Sequence, residues 1–236
     1  MTLPKAIIVD LDDTILDSGD PGVAWLAVCR EAADLQGVTA EGLFAAVISA
    51  RDWFWASNRR AREGRLDLDE ARLTIFRRAF SALGAKDVAA HAIHAMATRY
   101  TTLRDQAVTP FPGALQALAR LRSTGVKLAL LTNGSAEKQR EKIARFDLER
   151  FFDHVQVEGE LGIGKPDPRA FESVLGALGV ASADAWMVGD NLLSDIEGAQ
   201  RVGVHAIWID AHGNGLPTDE GVMPDRVISS LSELLP

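Results

Sequence analysis

Four separated stretches of the chain carry side chains that could do chemistry. Asp10, Asp12, Asp13 and Thr14 lie in VDLDDT, at the end of an apolar run. Thr132 and Asn133 close a second run, KLALLTN. Lys165 follows the glycine-rich segment EGELGIG. Gly189 and Asp190 close a fourth run, AWMVGD, with Asp195 shortly after. Carboxylates brought together without a counter-charge repel one another strongly. Two partners could join them: the Lys165 ammonium, or a hard divalent cation that prefers oxygen ligands. Gly159, Gly164 and Lys165 also satisfy G-x-x-x-x-G-K, the opening of a nucleotide-binding P-loop. Pro166 stands where that motif needs a Ser or Thr hydroxyl, and it lacks the N–H a phosphate-cradling loop would use. The P-loop match is therefore read as chance.

The elements that must position these residues are legible as alternating patterns. AIIVD (6–10), KLALLTN (127–133), HVQVEG (154–159), AWMVGD (185–190) and HAIWID (205–210) are mostly near-continuously apolar, as strands buried on both faces of a parallel sheet are. Helical patterns lie between them, at about 112–123, from Asp167-Pro168 to Gly179, and at about 194–202. Capping residues in front and glycines behind mark their ends. The expected fold class is α/β, with a doubly wound, mostly parallel sheet. Ligands of such sheets bind at the carboxyl ends of the strands, where all four stretches fall. Residues 18–108 break the rhythm. They hold no convincing strand, and Leu73, Phe76, Phe80 and Leu83 share one helix face behind an Asp67/Glu70 capping pattern. Gly37 and Gly84 read as helix stops. A second, smaller, all-helical domain is expected at 18–108, inserted into a core of 1–17 and 109–236, with TPFPG (109–113) as the return linker. Residues 211–224 read as a loop before a last short strand and a terminal helical turn.

The 236 residues carry a formal net charge of -8 with 47% hydrophobic residues, enough for a proper core. That charge argues against a general binder of nucleic-acid polymers or anionic membranes, while leaving room for one small anionic substrate. The single cysteine, Cys29, forbids an intramolecular disulfide and suits a reducing compartment. No signal-like run opens the chain and no apolar run approaches bilayer length, so a cytoplasmic location is expected.

D-x-D-x-T at 10–14, Thr132 after an apolar strand, Lys165 before proline, and G-D-x-x-x-x-D at 189–195 resemble, in order and spacing, the four motifs of the haloacid dehalogenase-like hydrolases. The resemblance implies a Rossmann-like core, with 18–108 similar to the helical C1 cap of subfamily I. It implies Mg²⁺ as cofactor and a small phosphorylated metabolite as substrate, with the protein a monomer or homodimer. Asp10 would be the nucleophile that forms an aspartyl-phosphate. Asp12 would be the general acid and then the base, its negative neighbours allowing it to hold a proton. Thr132, the Asn133 amide and Lys165 would hold the phosphoryl oxygens. Asp10, Asp190, Asp195 and Asp12, the last through its main-chain carbonyl, would serve the metal. GELGIGKPDPRAFESVLGALGV and VGDNLLSDIEGAQRVG look most like the branch that holds 5′-nucleotidases and acylneuraminate-9-phosphate phosphatase. The implied activity is a phosphatase. A phosphomutase shares every catalytic residue. A 2-haloacid dehalogenase lacks an acid at the position of Asp12, and a non-catalytic binding protein would have no use for the acid pair.

Simpler readings hold elsewhere. His91 and His94 are expected on a helix surface, and Cys29 as a buried filler on a helix of the inserted domain. Trp53, Trp55, Arg59, Arg60 and Arg62 are expected to pack or to form a solvated basic face, with one arginine a candidate for a second anionic group.

Overall fold

The structure is a computed structural model that describes residues 2–32, 37–85, 88–217 and 221–236. The chain divides into two compact units, one formed by Met1–Asp17 with Thr109–Pro236 and the other by Ser18–Val108.

The second unit is helical among its described residues: α1 (Pro21–Glu31), α2 (Ala40–Trp55), α3 (Asn58–Leu66), α4 (Leu68–Ala82) and α5 (Ala90–Ala107). Side-chain caps start four of them. Asp20, Thr39, Ser57 and Asp67 each accept a main-chain N–H in the first turn, satisfying donors that a helix start leaves orphaned. The core holds Trp25 stacked on Tyr100 with centroids 3.7 Å apart, and Phe76 set edge-on to Trp25. Leu73, Phe76 and Phe80 are buried there, but Leu83 is not. It caps the end of α4, where the helical stripe stops, and stays 39% exposed. His91 and His94 are exposed on α5. Cys29 is buried on α1, and burial pushes its thiol up to about 12, out of the reactive range.

Among its described residues the first unit carries eight strands: β1 (Ala6–Val9), β2 (Leu16–Asp17), β3 (Thr109–Pro110), β4 (Lys127–Thr132), β5 (His154–Val157), β6 (Ala185–Gly189), β7 (His205–Ile209) and β8 (Arg226–Ile228). Six form one sheet in the order β5-β4-β1-β6-β7-β8, parallel throughout. Every residue of β1 is buried, which accounts for its unbroken apolar run. β2 and β3 form a separate antiparallel pair, with Asp17 opposite Thr109, so TPFPG begins as a strand.

The helices of this unit are α6 (Ala114–Ser123), α7 (Ala136–Arg145), α8 (Glu158–Leu161), α9 (Pro168–Leu178) and α10 (Gly198–Arg201). α9 has the punctuation its sequence announces, with Asp167 as cap, Pro168 in the first turn and Gly179 left-handed at the end. Three elements differ from expectation. α8 begins at Glu158, inside the run HVQVEG that reads as a strand, and the strand stops at Val157. Residues 194–202 do not form one α-helix: Leu192–Glu197 is a π-helical turn in which the Ile196 N–H reaches the Asn191 carbonyl, and α10 follows it. α7 had no counterpart among the expected helices, because it is mostly charged and buries only Gln139 and Ile143. No described helix is long and apolar enough to cross a membrane.

Candidate active site

The site is built on the three adjacent central strands. β1 pairs with β4 and β6, with Val9 opposite Leu130 on one side and Val188 on the other. That register brings Asp10, Thr132 and Asp190 to the same edge of the sheet.

Lys165 is 2% exposed and sits between two carboxylates. Its Nζ lies 2.5 Å from Asp10 Oδ1 and 2.7 Å from Asp195 Oδ1. Its main chain is held just as firmly. Asn133 Nδ2 donates to the Lys165 carbonyl at 2.8 Å, and Asn133 Oδ1 accepts the Lys165 N–H at 2.8 Å. Asp195 Oδ2 accepts the Asn191 N–H at the start of the π-helical turn. Gly189 is needed beside it, because a Cβ there would run into the Asp195 carboxylate.

The two glycines of the P-loop-like spacing have the same kind of explanation. A Cβ at Gly159 would meet the Ala136 N and the Gly134 carbonyl, and one at Gly164 would meet Glu158 and Asn133. Buried Glu158 accepts the Gly134 N–H at 3.0 Å. These glycines allow the strand ends to approach one another; the Lys165–Pro166 bond that follows is cis.

Asp10, Asp190 and Asp195 offer ligand oxygens that all lie within 4.8 Å of one another. One ammonium does not balance them. Burial raises the Asp10 carboxyl to about 7, against the lowering effect of Lys165 and with a further rise from Asp195. Burial raises Asp190 to about 9, and the negative charges of Asp10, Asp195 and Asp13 add to it. Burial also opposes the Lys165 charge, but Asp10 and Asp195 outweigh it and its pKa is raised. With one ammonium against three carboxylates the group is short of positive charge and offers hard oxygen donors that could hold a metal ion.

Asp12 stands apart from that group. Lys142 Nζ lies 2.7 and 2.9 Å from its two oxygens, and Gln139 Nε2 donates to Oδ2 at 2.9 Å. The expectation that negative neighbours could let Asp12 hold a proton is therefore corrected: a cation and an amide face this carboxylate. Any service of Asp12 to a metal falls to its main chain, since the side chain is taken. Gln139 Nε2 also donates to Thr132 Oγ1 at 2.6 Å. The side-chain amide of Asn133 is likewise spent on the Lys165 main chain. Gln139 and Lys142 were missed because α7 was missed. The available signal was Ser135, a good N-cap, followed by polar residues at i and i+3 just after the Thr132-Asn133 strand end.

Of the arginines considered for a second anion, Arg60 is committed to the Trp53 and Phe54 carbonyls and stacks on Trp53, while Arg59 lies 3.9 Å from Glu63.

The family model for haloacid dehalogenase-like hydrolases matches residues 4–203. The chain belongs to that family. This haloacid dehalogenase-like hydrolase is similar to the phosphoserine phosphatase of Thermus thermophilus, 46% identical over 125 residues, which is 52% of this chain and 49% of that protein. The chain spans about half the length of the curated relatives it matches. The solved structure of the HAD-hydrolase YfnB from Bacillus subtilis, bound to magnesium, shares the fold with a TM-score of 0.75 at 23% identity, over 99% of this chain and 97% of that one. A 2-haloacid dehalogenase from Pseudomonas syringae pv. Tomato DC3000 is similar as well, with a TM-score of 0.63 and 26% identity over 98% and 96% of the two chains.

The raised carboxyls of this hydrolase carry a pH signature. A carboxyl whose folded pKa lies above its unfolded value stabilises the fold fully at pH below the unfolded value. That contribution is lost as pH rises through the folded value. For Asp10 and Asp190 the window runs from the ordinary carboxyl value of 3.8 up to about 7 and about 9. In EDTA, the melting temperature is expected to fall as pH rises across that window, and less steeply in Asp190→Asn. Differential scanning calorimetry of both proteins across the window checks this.

Proposed function

We propose that the protein is a Mg²⁺-dependent phosphatase that hydrolyses a small phosphorylated metabolite through an aspartyl-phosphate. One observation carries the reading: buried Asp10 is paired with Lys165 beside Asp190 and Asp195, while a second acid, Asp12, lies two residues on and outside that carboxylate group. Asp10 supplies the nucleophilic oxygen. Asp12, which must first take up a proton against the pull of Lys142, gives it to the departing alkoxide and then takes one from the attacking water. Lys165, the Thr132 hydroxyl and the Asn133 main chain bind the phosphoryl oxygens, where negative charge grows in the transition state. Asp10, Asp190 and the Asp12 carbonyl would hold the cation, with Asp195 keeping Lys165 in place. When bound there, Mg²⁺ supplies neutralising charge between the carboxylates and the phosphoryl group. Residues 18–108 correspond to the family's C1 cap, and we assign the choice of substrate to them. The acid at Asp12 argues against the dehalogenase chemistry found elsewhere in the family.

Phosphate release from p-nitrophenyl phosphate tests the reading. Turnover is expected with Mg²⁺ and its loss is expected in excess EDTA, with recovery on adding Mg²⁺ back. Turnover indifferent to EDTA would remove the metal from the account. A panel of phosphorylated metabolites would then identify the preferred class of leaving group.

A further inference from the structure

The peptide bond between Asp190 and Asn191 is held from both sides. Its carbonyl accepts the Trp208 Nε1–H at 2.5 Å. Its N–H, that of Asn191, donates to Asp195 Oδ2 at 3.0 Å. A peptide is planar, so holding both groups fixes the orientation of the plane. The first bond comes from a neighbouring strand: Trp208 lies on β7, in register with Gly189 at the end of β6. It is 7% exposed and belongs to an apolar core of this unit. An indole N–H can only donate, and a buried one ordinarily finds an acceptor. Here the acceptor is the main chain of Asp190, whose carboxylate meets those of Asp10 and Asp195. The second bond leads on to Lys165, since Asp195 Oδ1 lies 2.7 Å from its Nζ. Trp186, earlier on β6, offers a contrast: its ring lies against His205, with centroids 5.7 Å apart.

We infer that Trp208 is a positioning residue for the cation: by holding the Asp190–Asn191 peptide it sets the direction in which the Asp190 carboxylate leaves the main chain, and so how tightly Mg²⁺ is bound. The inference rests on the phosphatase reading above, which takes Asp190 as a cation ligand. Groups that orient a metal ligand from behind govern affinity for the ion, and removing one typically costs about 10–100-fold. A purely structural Trp208 makes a different demand. Its loss would lower stability and leave the affinity for Mg²⁺ where it was.

The experiment titrates Mg²⁺ alone into metal-free protein by calorimetry, in wild type, Trp208→Phe and Trp186→Phe. Phenylalanine keeps an aromatic ring in place and removes only the N–H and the second ring. Trp208→Phe is expected to raise the Kd for Mg²⁺ about 10-fold, the lower end of the usual loss. Trp186→Phe, which removes an indole from the adjoining strand, is expected to leave it unchanged. A second measurement uses the wild type only, so it holds even if a variant does not fold. The indole N–H signal of Trp208, assigned through the backbone by NMR, is expected to shift as Mg²⁺ is added and to saturate at the calorimetric Kd. An unchanged Kd in Trp208→Phe, equal weakening in both variants, or a Trp208 signal indifferent to saturating Mg²⁺ would overturn the inference while leaving the phosphatase reading intact. A wild type that binds no Mg²⁺ would overturn both.

Discussion

Replacing Asp10 by Asn is expected to abolish phosphate release while leaving the fold intact. Removing the nucleophile of a residue set that acts as a unit costs on the order of 10⁴ to 10⁶ in kcat. Asn keeps the shape of the side chain, and the charge it removes is one that burial disfavours. The melting temperature of the metal-free protein is therefore expected to hold or rise. A fall in activity without a fall in stability, read by p-nitrophenol release and calorimetry on the same samples, separates a chemical role from a structural one. Full activity in Asp10→Asn would end the aspartyl-phosphate account.

Lys165→Met is expected to fail in both respects. Lys165 is almost fully buried, and its two carboxylate partners at 2.5 and 2.7 Å are buried too. Breaking such a group by removing one partner costs about 3–5 kcal/mol, because the remaining charges stay buried without compensation. At roughly 2–4 °C per kcal/mol for a chain of this size, the melting temperature should drop on the order of 10 °C. Activity should fall by about 10²–10³, the usual loss when one donor to a developing negative charge is deleted. The contrast with Lys142 is informative. Its pair with Asp12 is partly exposed on both sides, and pairs of that kind contribute no more than about 1 kcal/mol. Calorimetry of Lys165→Met and Lys142→Met should therefore differ clearly. Similar melting temperatures would mean that the Lys165 pairs hold little of the structure together.

The parallel sheet was legible because its strands are buried on both faces, and that condition writes itself into sequence as runs such as AIIV and KLALLT. The residues closing those runs, Asp10, Thr132 and Asp190, were legible for the same reason, since the end of an apolar strand is where a polar side chain stands out. α7 was not legible. Its buried face holds one apolar side chain, Ile143, and its other inward residue, Gln139, is buried by hydrogen bonding. Periodicity in hydrophobicity does not register an amide buried that way. The surroundings of Asp12 stayed hidden with it. The π-helical turn escaped because it depends on which carbonyl the Ile196 N–H reaches, a choice that 3.6-residue spacing does not encode. The two roles of Asn133, bonded at both ends to the Lys165 backbone, needed three-dimensional proximity across sequence-distant segments.

The short antiparallel pair of β2 and β3 has a practical implication. It sets Asp17 directly opposite Thr109, so the chain leaves the sheet-bearing unit and re-enters it at neighbouring points. A tight hairpin such as Asn-Gly could bridge that gap and excise everything between, because two-residue loops of this type suit the twist of adjoining strands. The resulting miniature enzyme would carry all the acids and the lysine discussed above, and comparing its ester preferences with those of the parent would measure directly what the excised helices contribute to selectivity.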